Sequence, residues 1–322
     1  MAIQSIEIKN FTVFKNIKCD FSPGVNVFIG ENGTGKTHLL KLSYLANTLH
    51  SSNYLYRITD LFGNDFGEKN CYLCINGNEQ RLNMTIEKGQ ISQIKSLISL
   101  EISSKIPSVF IPAKEVLSMS NITRVADEYT LSLNLDITLT DIIKKAQILL
   151  PDTPPDLALK VASKLEHEMQ GKVFFDDTSK TFWIHKTNGD KIPFTSEAEG
   201  FRKLGLLWQL VMNKSIKEGS VLFWDEPEAN LNPKLIPIIV DILLELARHG
   251  VQIFIATHDY VIAKYLEVRR NSNDVVLFHS LYNSDDGVKS ESSINFRDLK
   301  ENPIITALDT LMDEIIDRNM GD

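Results

Sequence analysis

The chain has 322 residues, 43% of them hydrophobic and 24% charged, enough apolar material for one large or two modest domains, which excludes an intrinsically disordered polymer. Its formal net charge of −8 excludes a bulk positive field that would hold it on nucleic acid or an anionic membrane. No apolar run approaches the ~18 residues of a membrane span, and "MAIQSIEIKN" lacks the basic start and apolar stretch of a secretory signal, so a cytoplasmic protein with no membrane partner is expected.

The elements follow in chain order. "IQSIEIKNF" and "KNIKCDF" alternate apolar and polar residues around a short turn, and "GVNVFIG" is a compact Val/Ile-rich run, which predicts a hairpin leading into a buried strand. From Lys36 the spacing becomes helical, with Leu39, Leu40, Leu42, Leu45 and Leu49 on "KTHLLKLSYLANTLH". Residues 70 to 87 predict a second hairpin around an Asn-Gly turn. Cys71 and Cys74 form a C-x-x-C there. With Cys19 they make an odd number of thiols and no second Cys or His pair at metal spacing, so both are read as strand residues. "IPSVFIPA" predicts a short strand, and residues from about 114 to 170 are helix-prone, with Pro151, Pro154 and Pro155 marking a loop before "DLALKVASKLEHEMQ". "KVFFDD" and "KTFWIHKTNGDKIPF" predict strands joined by turns. After residue 200, "RKLGLLWQLVMN", "SVLFWDE", "KLIPIIVDILLELARHG" and "VQIFIATH" alternate helix and strand, the pattern of a parallel sheet with crossover helices. "DVVLFHSLYNS" predicts one more strand and "NPIITALDTLMDEIIDRN" a terminal helix.

Between the first buried strand and its helix stands "GENGTGKT", a full match to G-x-x-x-x-G-K-[ST] in the setting the motif requires. Gly30, Gly33 and Gly35 let backbone N–H groups turn inward on phosphates, with Glu31, Asn32 and Thr34 between them. Lys36 is expected to reach the β and γ phosphates of ATP, and Thr37 to ligate Mg2+. "SVLFWDEPEANLNPK" supplies the complementary carboxylates: Asp225 follows the apolar Val221 to Trp224 as a second group for the metal shell, and Glu226 is placed to accept a proton from the attacking water. Glu228 stands open between a part in this site and a solvated loop position. His258 closes the next strand, where an imidazole can approach the γ-phosphate and hold the water or Glu226.

In this order the motifs resemble the ABC-type ATPase heads shared by SMC, RecF and OLD-family proteins: Walker A "GENGTGKT", Walker B "VLFWDEPE", a D-loop "ANLNPK" and a switch histidine in "IATHD". "DEPEANL" and "VFIPAKEVLS" are similar to the stand-alone bacterial OLD-like and RecF-like group, often found in anti-phage defence or toxin-type operons. The resemblance implies an α/β P-loop fold with a mixed sheet, an antiparallel β subdomain and a helical lobe. Residues 1–112 and 191–322 would form the discontinuous core, and residues 113–190 a helical insertion with a β-hairpin.

It also implies a signature segment at the start of the helix before Walker B, where "SEAEGFRK" stands. Gly200 aligns with the last signature glycine, Ala198 takes the usual serine position and Ser196 lies two residues earlier. In the family this surface, here Ser196, Ala198, Glu199 and Gly200, meets the γ-phosphate bound by the opposite subunit. Arg202 and Lys203 are candidates for added positive charge across that seam or for solvated helix residues, and Asn230 and Asn232 would lie on the D-loop beside it. "PAKE", Pro112 to Glu115, occupies the region where the family carries its Q-loop.

The expectation is an ATPase that joins head to head on ATP and Mg2+, as a homodimer or higher oligomer, and switches a separately encoded effector such as a nuclease or toxin. The stretch after His258 is read as too short for the nuclease domain of an OLD protein. A low-turnover nucleotide-gated scaffold and a RecF-like DNA-repair ATPase are the alternatives. No Lys/Arg stripe marks a DNA surface in the sequence.

Overall fold

The computed structural model describes residues 3–48, 70–77, 81–87, 90–96, 107–120 and 136–320. Leu49, residues 78–80 and the stretch 121–135 of the helix-prone region lie outside them; the Asn-Gly pair expected as a turn instead ends a strand, Asn76 pairing with Arg81 and Gly77 with Ile3. Strands β1 (Ile3–Phe11) and β2 (Phe14–Asp20) form the expected hairpin, and β3 (Val25–Gly30) is buried along its whole length. Helix α1 (Lys36–Thr48) follows the glycine-rich turn directly.

β4 (Cys71–Gly77), β5 (Arg81–Glu87) and β6 (Gln90–Ser96) extend the first hairpin into a five-stranded antiparallel sheet in the order β2-β1-β4-β5-β6. Cys71 and Cys74 are buried on β4, and their odd separation along a strand sends them to opposite faces.

β7 (Ser108–Ile111) leads to α2 (Ile137–Ala146), which Asp136 caps by accepting from Thr138 N–H, and to α3 (Asp156–Met169) beyond the proline loop. β8 (Gly171–Asp176), β9 (Thr181–Lys186) and β10 (Lys191–Pro193) make a three-stranded antiparallel sheet. The domain boundary expected at 190/191 falls inside this sheet, because β10 pairs with β9 from Lys191 to Pro193.

In the rest, α4 (Glu199–Met212), β11 (Val221–Asp225), α5 (Ile236–Arg248), β12 (Gln252–Ala256), β13 (Val276–Ser284) and α7 (Pro303–Met320) follow as anticipated, while α6 (Tyr260–Arg269) and β14 (Gly287–Ser293) were not expected. A six-stranded sheet in the order β14-β13-β3-β12-β11-β7 collects the buried strands; all its neighbours pair parallel except β14 with β13. Helices cover both faces of such a sheet, which is why its strands read as unbroken apolar runs.

Alternation along these strands divides the core in two. Val25, Val27, Ile29, Leu222, Trp224, Ile253 and Ile255 pack on one side, with α4 and α5. Phe28, Phe223, Phe254 and Phe110 pack on the other, with Leu39, Leu40 and Tyr44 of α1 and the inner residues of the antiparallel sheet. The phenylalanines stack across four neighbouring strands, with centroids 6.4 Å (Phe28–Phe254), 4.9 Å (Phe254–Phe223) and 6.4 Å (Phe223–Phe110) apart. Tyr44 meets Phe223 edge-on at 5.9 Å. Phe223→Ala should therefore lower the unfolding free energy by about 3–5 kcal/mol in urea titrations, the range for emptying a packed aromatic site; a loss near that of a surface change would mean that the stack does not carry this face.

Candidate active site

The loop between β3 and α1 takes its shape from three glycines at positive φ: Gly30 (151°), Gly33 (81°) and Gly35 (88°). A Cβ on Gly30 would stand 2.3 Å from Leu281 O, and one on Gly35 2.5 Å from the Phe14 ring, so close packing requires glycine at both. Gly33 is different: it is exposed, and among the described residues nothing lies within 4 Å of a Cβ built there, so this part of the loop faces open space. Glu31 and Asn32 are exposed beside it, while Thr34 is buried and donates from its hydroxyl to Glu31 O at 2.9 Å.

Lys36 opens α1 and turns back into the loop, donating from Nζ to Gly30 O at 2.8 Å and Glu31 O at 2.9 Å. Burial pushes its ammonium down to about 8, against the upward pull of Asp225, Glu226 and Glu228. Thr37, one residue on, donates from Oγ1 to Asp225 Oδ2 at 2.9 Å, joining positions 188 residues apart. Asp225 closes β11 opposite Ala256; burial raises its carboxyl above the usual range, and the Thr37 bond pulls it back.

Glu226 turns out of the strand at φ 47°, with its N–H donating to Ala256 O at 2.9 Å. Its half-exposed carboxylate lies 3.6 Å from Nε2 of His258, whose imidazole is held below its ordinary value by burial first and by Lys36 second. Glu228, left open by sequence, is no solvated bystander. It accepts at Oε1 from the Thr257 hydroxyl (2.6 Å) and from His258 N–H (3.2 Å), and burial raises its carboxyl. Sequence carried one signal for this, the adjacency of Glu228 to the Walker strand, but its partners come from β12 and are visible only in the fold.

The expected signature segment is a 3-10 turn, Phe194–Ser196, running into α4 with Ala198 at the N-cap. Ser196 and Ala198 are exposed, and no side chain caps the helix. Gly200 is buried, and a Cβ built on it would be in ordinary van der Waals contact with Leu231 Cδ2 (3.4 Å) and Asn230 O (3.5 Å). Glu199 Oε1 accepts from Asn230 Nδ2 at 2.8 Å, and Asn232 accepts from Lys234 N–H at 3.0 Å, starting the turn before α5.

Arg202 and Lys203, offered by sequence as charge across a subunit seam or as solvated residues, both turn inward. Arg202 pairs with Glu115 of the "PAKE" segment at 3.2 Å, and Glu115 also accepts from Leu117 and Ser118 N–H. Lys203 is 2% exposed and donates to Glu226 O (3.3 Å) and Ala229 O (2.5 Å). The physical reason is that α4 is buried along one unbroken stretch from Lys203 to Met212. Its first turn therefore docks on the Walker B loop, and a stem of four methylenes carries the ammonium to that loop's carbonyls.

Among the described residues no helix is long and apolar enough to cross a membrane. A family described as "AAA domain, putative AbiEii toxin, Type IV TA system" matches residues 95–263, which hold Asp225, Glu226, Glu228 and His258. The chain belongs to this AAA-domain family. A second pattern, an AAA ATPase domain, matches residues 1–152 of this AAA-domain protein and so takes in the glycine-rich loop. The SMC head domain from Thermotoga maritima has the same fold, with a TM-score of 0.53 and 14% identity over 91% of this chain and 99% of that one. The Smc head from Pyrococcus furiosus, bound to the C-terminal domain of ScpA, gives 0.54 and 12% over 97% and 99%. RecF of Heliobacterium modesticaldum is 51% identical over 41 residues, 13% of this chain and 11% of that protein; RecF of Lactococcus lactis (strain IL1403) is 43% identical over 49 residues, 15% and 14%. The curated relatives are thus matched over a small part of their length. The chain thus shares the fold of the SMC heads and carries the AAA ATPase pattern of its family.

In this AAA-domain head Lys203 is a support within the subunit. Lys203→Met keeps the stem and removes the donor, leaving Ala229 O without it, while Glu226 O keeps the Ala229 N–H at 3.1 Å. It should cost about 1–3 kcal/mol of stability in nucleotide-free protein, measured by denaturant unfolding. An unchanged unfolding midpoint would return Lys203 to a role between subunits.

Proposed function

We propose that the chain binds ATP with Mg2+ at the Gly30–Thr37 loop, hydrolyses it, and uses the cycle to join and release two heads that switch a separate effector. The observation that carries this reading is the convergence of Thr37 with Asp225 at 2.9 Å and of Glu226 with His258 at 3.6 Å beside the same buried Lys36. The residues fit the ligand. Among the described residues Lys36 spends its ammonium on two main-chain carbonyls and on no carboxylate, so phosphate oxygens can take their place. A hydroxyl and a carboxylate already in contact are the oxygen donors that Mg2+ prefers, and Thr37 and Asp225 would hold it. When bound, Mg2+ supplies charge that neutralises the β and γ phosphate oxygens.

The chain's own groups do the rest. Backbone N–H groups around Gly33 and the start of α1 cradle the phosphates. Glu226 takes the proton of the attacking water at its carboxylate. His258, kept neutral by burial, steadies that carboxylate from Nε2. Across two subunits, the uncapped start of α4, with Ser196, Ala198, Glu199 and Gly200, would face the partner's γ-phosphate, and Asn230 would lie at the seam. A nuclease or toxin as effector and a role in anti-phage defence, in the cytoplasm, complete the reading; the family's description supports a toxin-type setting. The local RecF identity supports a second reading, duplex DNA as the switched partner. ATP-dependent, salt-sensitive retention of duplex DNA would select it.

Glu226→Gln should lower phosphate release by about 10²–10⁴-fold while ATP is still bound, and should trap an ATP-bound dimer on sizing columns. Equal turnover in both proteins would remove Glu226 as the base. A wild type that dimerises on ATP with negligible turnover would select the nucleotide-gated scaffold instead.

Lys36 adds a pH dependence. In the free protein it titrates at about 8, and bound phosphate favours the ammonium and raises that value. Affinity is therefore full below about pH 8 and falls as pH rises beyond it, by up to about tenfold per unit. Titration with a fluorescent ATP analogue at pH 7 and 9 reads this. The same dissociation constant at both would remove Lys36 from the phosphates.

A further inference from the structure

Glu228 lies two residues beyond Glu226, on the loop leaving β11, yet its side chain serves the neighbouring strand. Oε1 takes both the Thr257 hydroxyl and the His258 N–H. Thr257 is fully buried, and its oxygen in turn accepts from Asp259 N–H at 3.0 Å; Asp259 then caps α6 by accepting from Ile262 N–H at 2.9 Å. The whole segment between β12 and α6 is thus gathered on one carboxylate oxygen. Oε2 is buried and takes no hydrogen bond among the described residues, so no other donor shares the hold.

The main chain of the same residue faces the other way. Glu228 O accepts from Leu231 N–H at 3.0 Å, closing the turn that carries Asn230 at φ 60°. Asn230 reaches Glu199 at the start of α4. One residue is therefore tied through its backbone to the Asn230 turn and through its side chain to the segment bearing His258.

We propose that Glu228 is a positioning residue: it sets the separation of Glu226 and His258 by holding the Thr257–His258 segment, and it passes displacement of the Asn230 turn to His258. This rests on the ATPase reading above and adds its regulation. An approach of another subunit at Asn230 would move Glu228 O, and the carboxylate would carry His258 with it. A residue that merely staples the loop would instead affect folding and nucleotide binding together.

The test uses the full chain in four forms. Glu228→Gln keeps an oxygen acceptor in place of Oε1, Glu228→Ala removes it, and Thr257→Val removes the donor with little change of shape. Glu228→Ala and Thr257→Val should each lower kcat by about tenfold or more, with the dissociation constant of a fluorescent ATP analogue within about twofold of wild type. Glu228→Gln should stay within about threefold of wild-type kcat. Equal losses in the Gln and Ala variants, or affinity falling in step with kcat, would overturn the proposal.

A second readout does not need turnover. In imidazole spectra of protein labelled at its seven histidines, the His258 signal, assigned through His258→Gln, should shift in Glu228→Ala and Thr257→Val and return in Glu228→Gln. A His258 signal unmoved by Glu228→Ala overturns the proposal whatever the rate. A moved signal in a protein that binds ATP without turnover upholds the positioning role and overturns hydrolysis alone.

Discussion

Phe28 on β3, Ala256 on β12 and Asp225 on β11 lie in register across three parallel strands, and the candidate site depends on that alignment. The ladder runs one residue past the strands, Thr257 N–H donating to Phe28 O and Glu226 N–H to Ala256 O, each at 2.9 Å. Three chain segments therefore leave the sheet at one level. Side-chain parity does the rest: Asp225 shares a face with Phe223, and that face carries α1. The phenylalanine stack seats α1 through Tyr44, and α1 in turn delivers Thr37 to Asp225. A slip of one residue in β11 would send Asp225 to the opposite face and leave Thr37 without its partner.

The same convergence crowds carboxylates together. Asp225, Glu226 and Glu228 all raise the charge demand on Lys36 and Lys203, and burial of both ammoniums pulls against it. Among the described residues neither lysine is matched with a carboxylate by a direct hydrogen bond. Lys36 sits on loop carbonyls at the head of α1, and Lys203 on loop carbonyls at the head of α4. The difference lies in what surrounds them. The Lys36 loop opens to solvent at Gly33, so its charge is available to an anion, while Lys203 is enclosed and its charge is committed to the fold.

What was legible in the sequence is what short-range chemistry dictates. The glycine spacing of Gly30 to Thr37, the apolar run ending at Asp225 and the alternation after residue 200 each have a local cause, and each element appears where it was expected. β14 was missed because "GVKSESS" carries a single buried hydrophobic, Val288, and edge strands need no apolar period. The inward turn of Arg202 and Lys203 was missed, and the burial of Glu228 left open, for another reason. A charged residue next to a loop reads as solvated until its partners are known, and here they come from Glu115, from the Glu226–Ala229 carbonyls and from Thr257. The sheet order, with β3 between β12 and β13, likewise has no local signature.

The loop from Glu226 to Asn230 shows why those long-range partners matter. Glu226 and Asn230 are both non-glycine residues in the left-handed region, at φ 47° and 60°. Such residues cost about 1–3 kcal/mol each at positions less tolerant than Asn, and they persist where the surroundings over-determine them. Here Lys203 binds the carbonyls of Glu226 and Ala229, Glu199 binds the Asn230 amide, and Glu228 anchors the middle. Every one of these ties runs to α4 or to the end of β12. The backbone that aims Glu226 is thus held by the helix whose exposed start is the expected contact of another subunit. A shift of α4 therefore pulls on this turn at three points, the carbonyls of Glu226 and Ala229 and the Asn230 amide, against its own local bonds from Ala229 N–H to Glu226 O and from Leu231 N–H to Glu228 O.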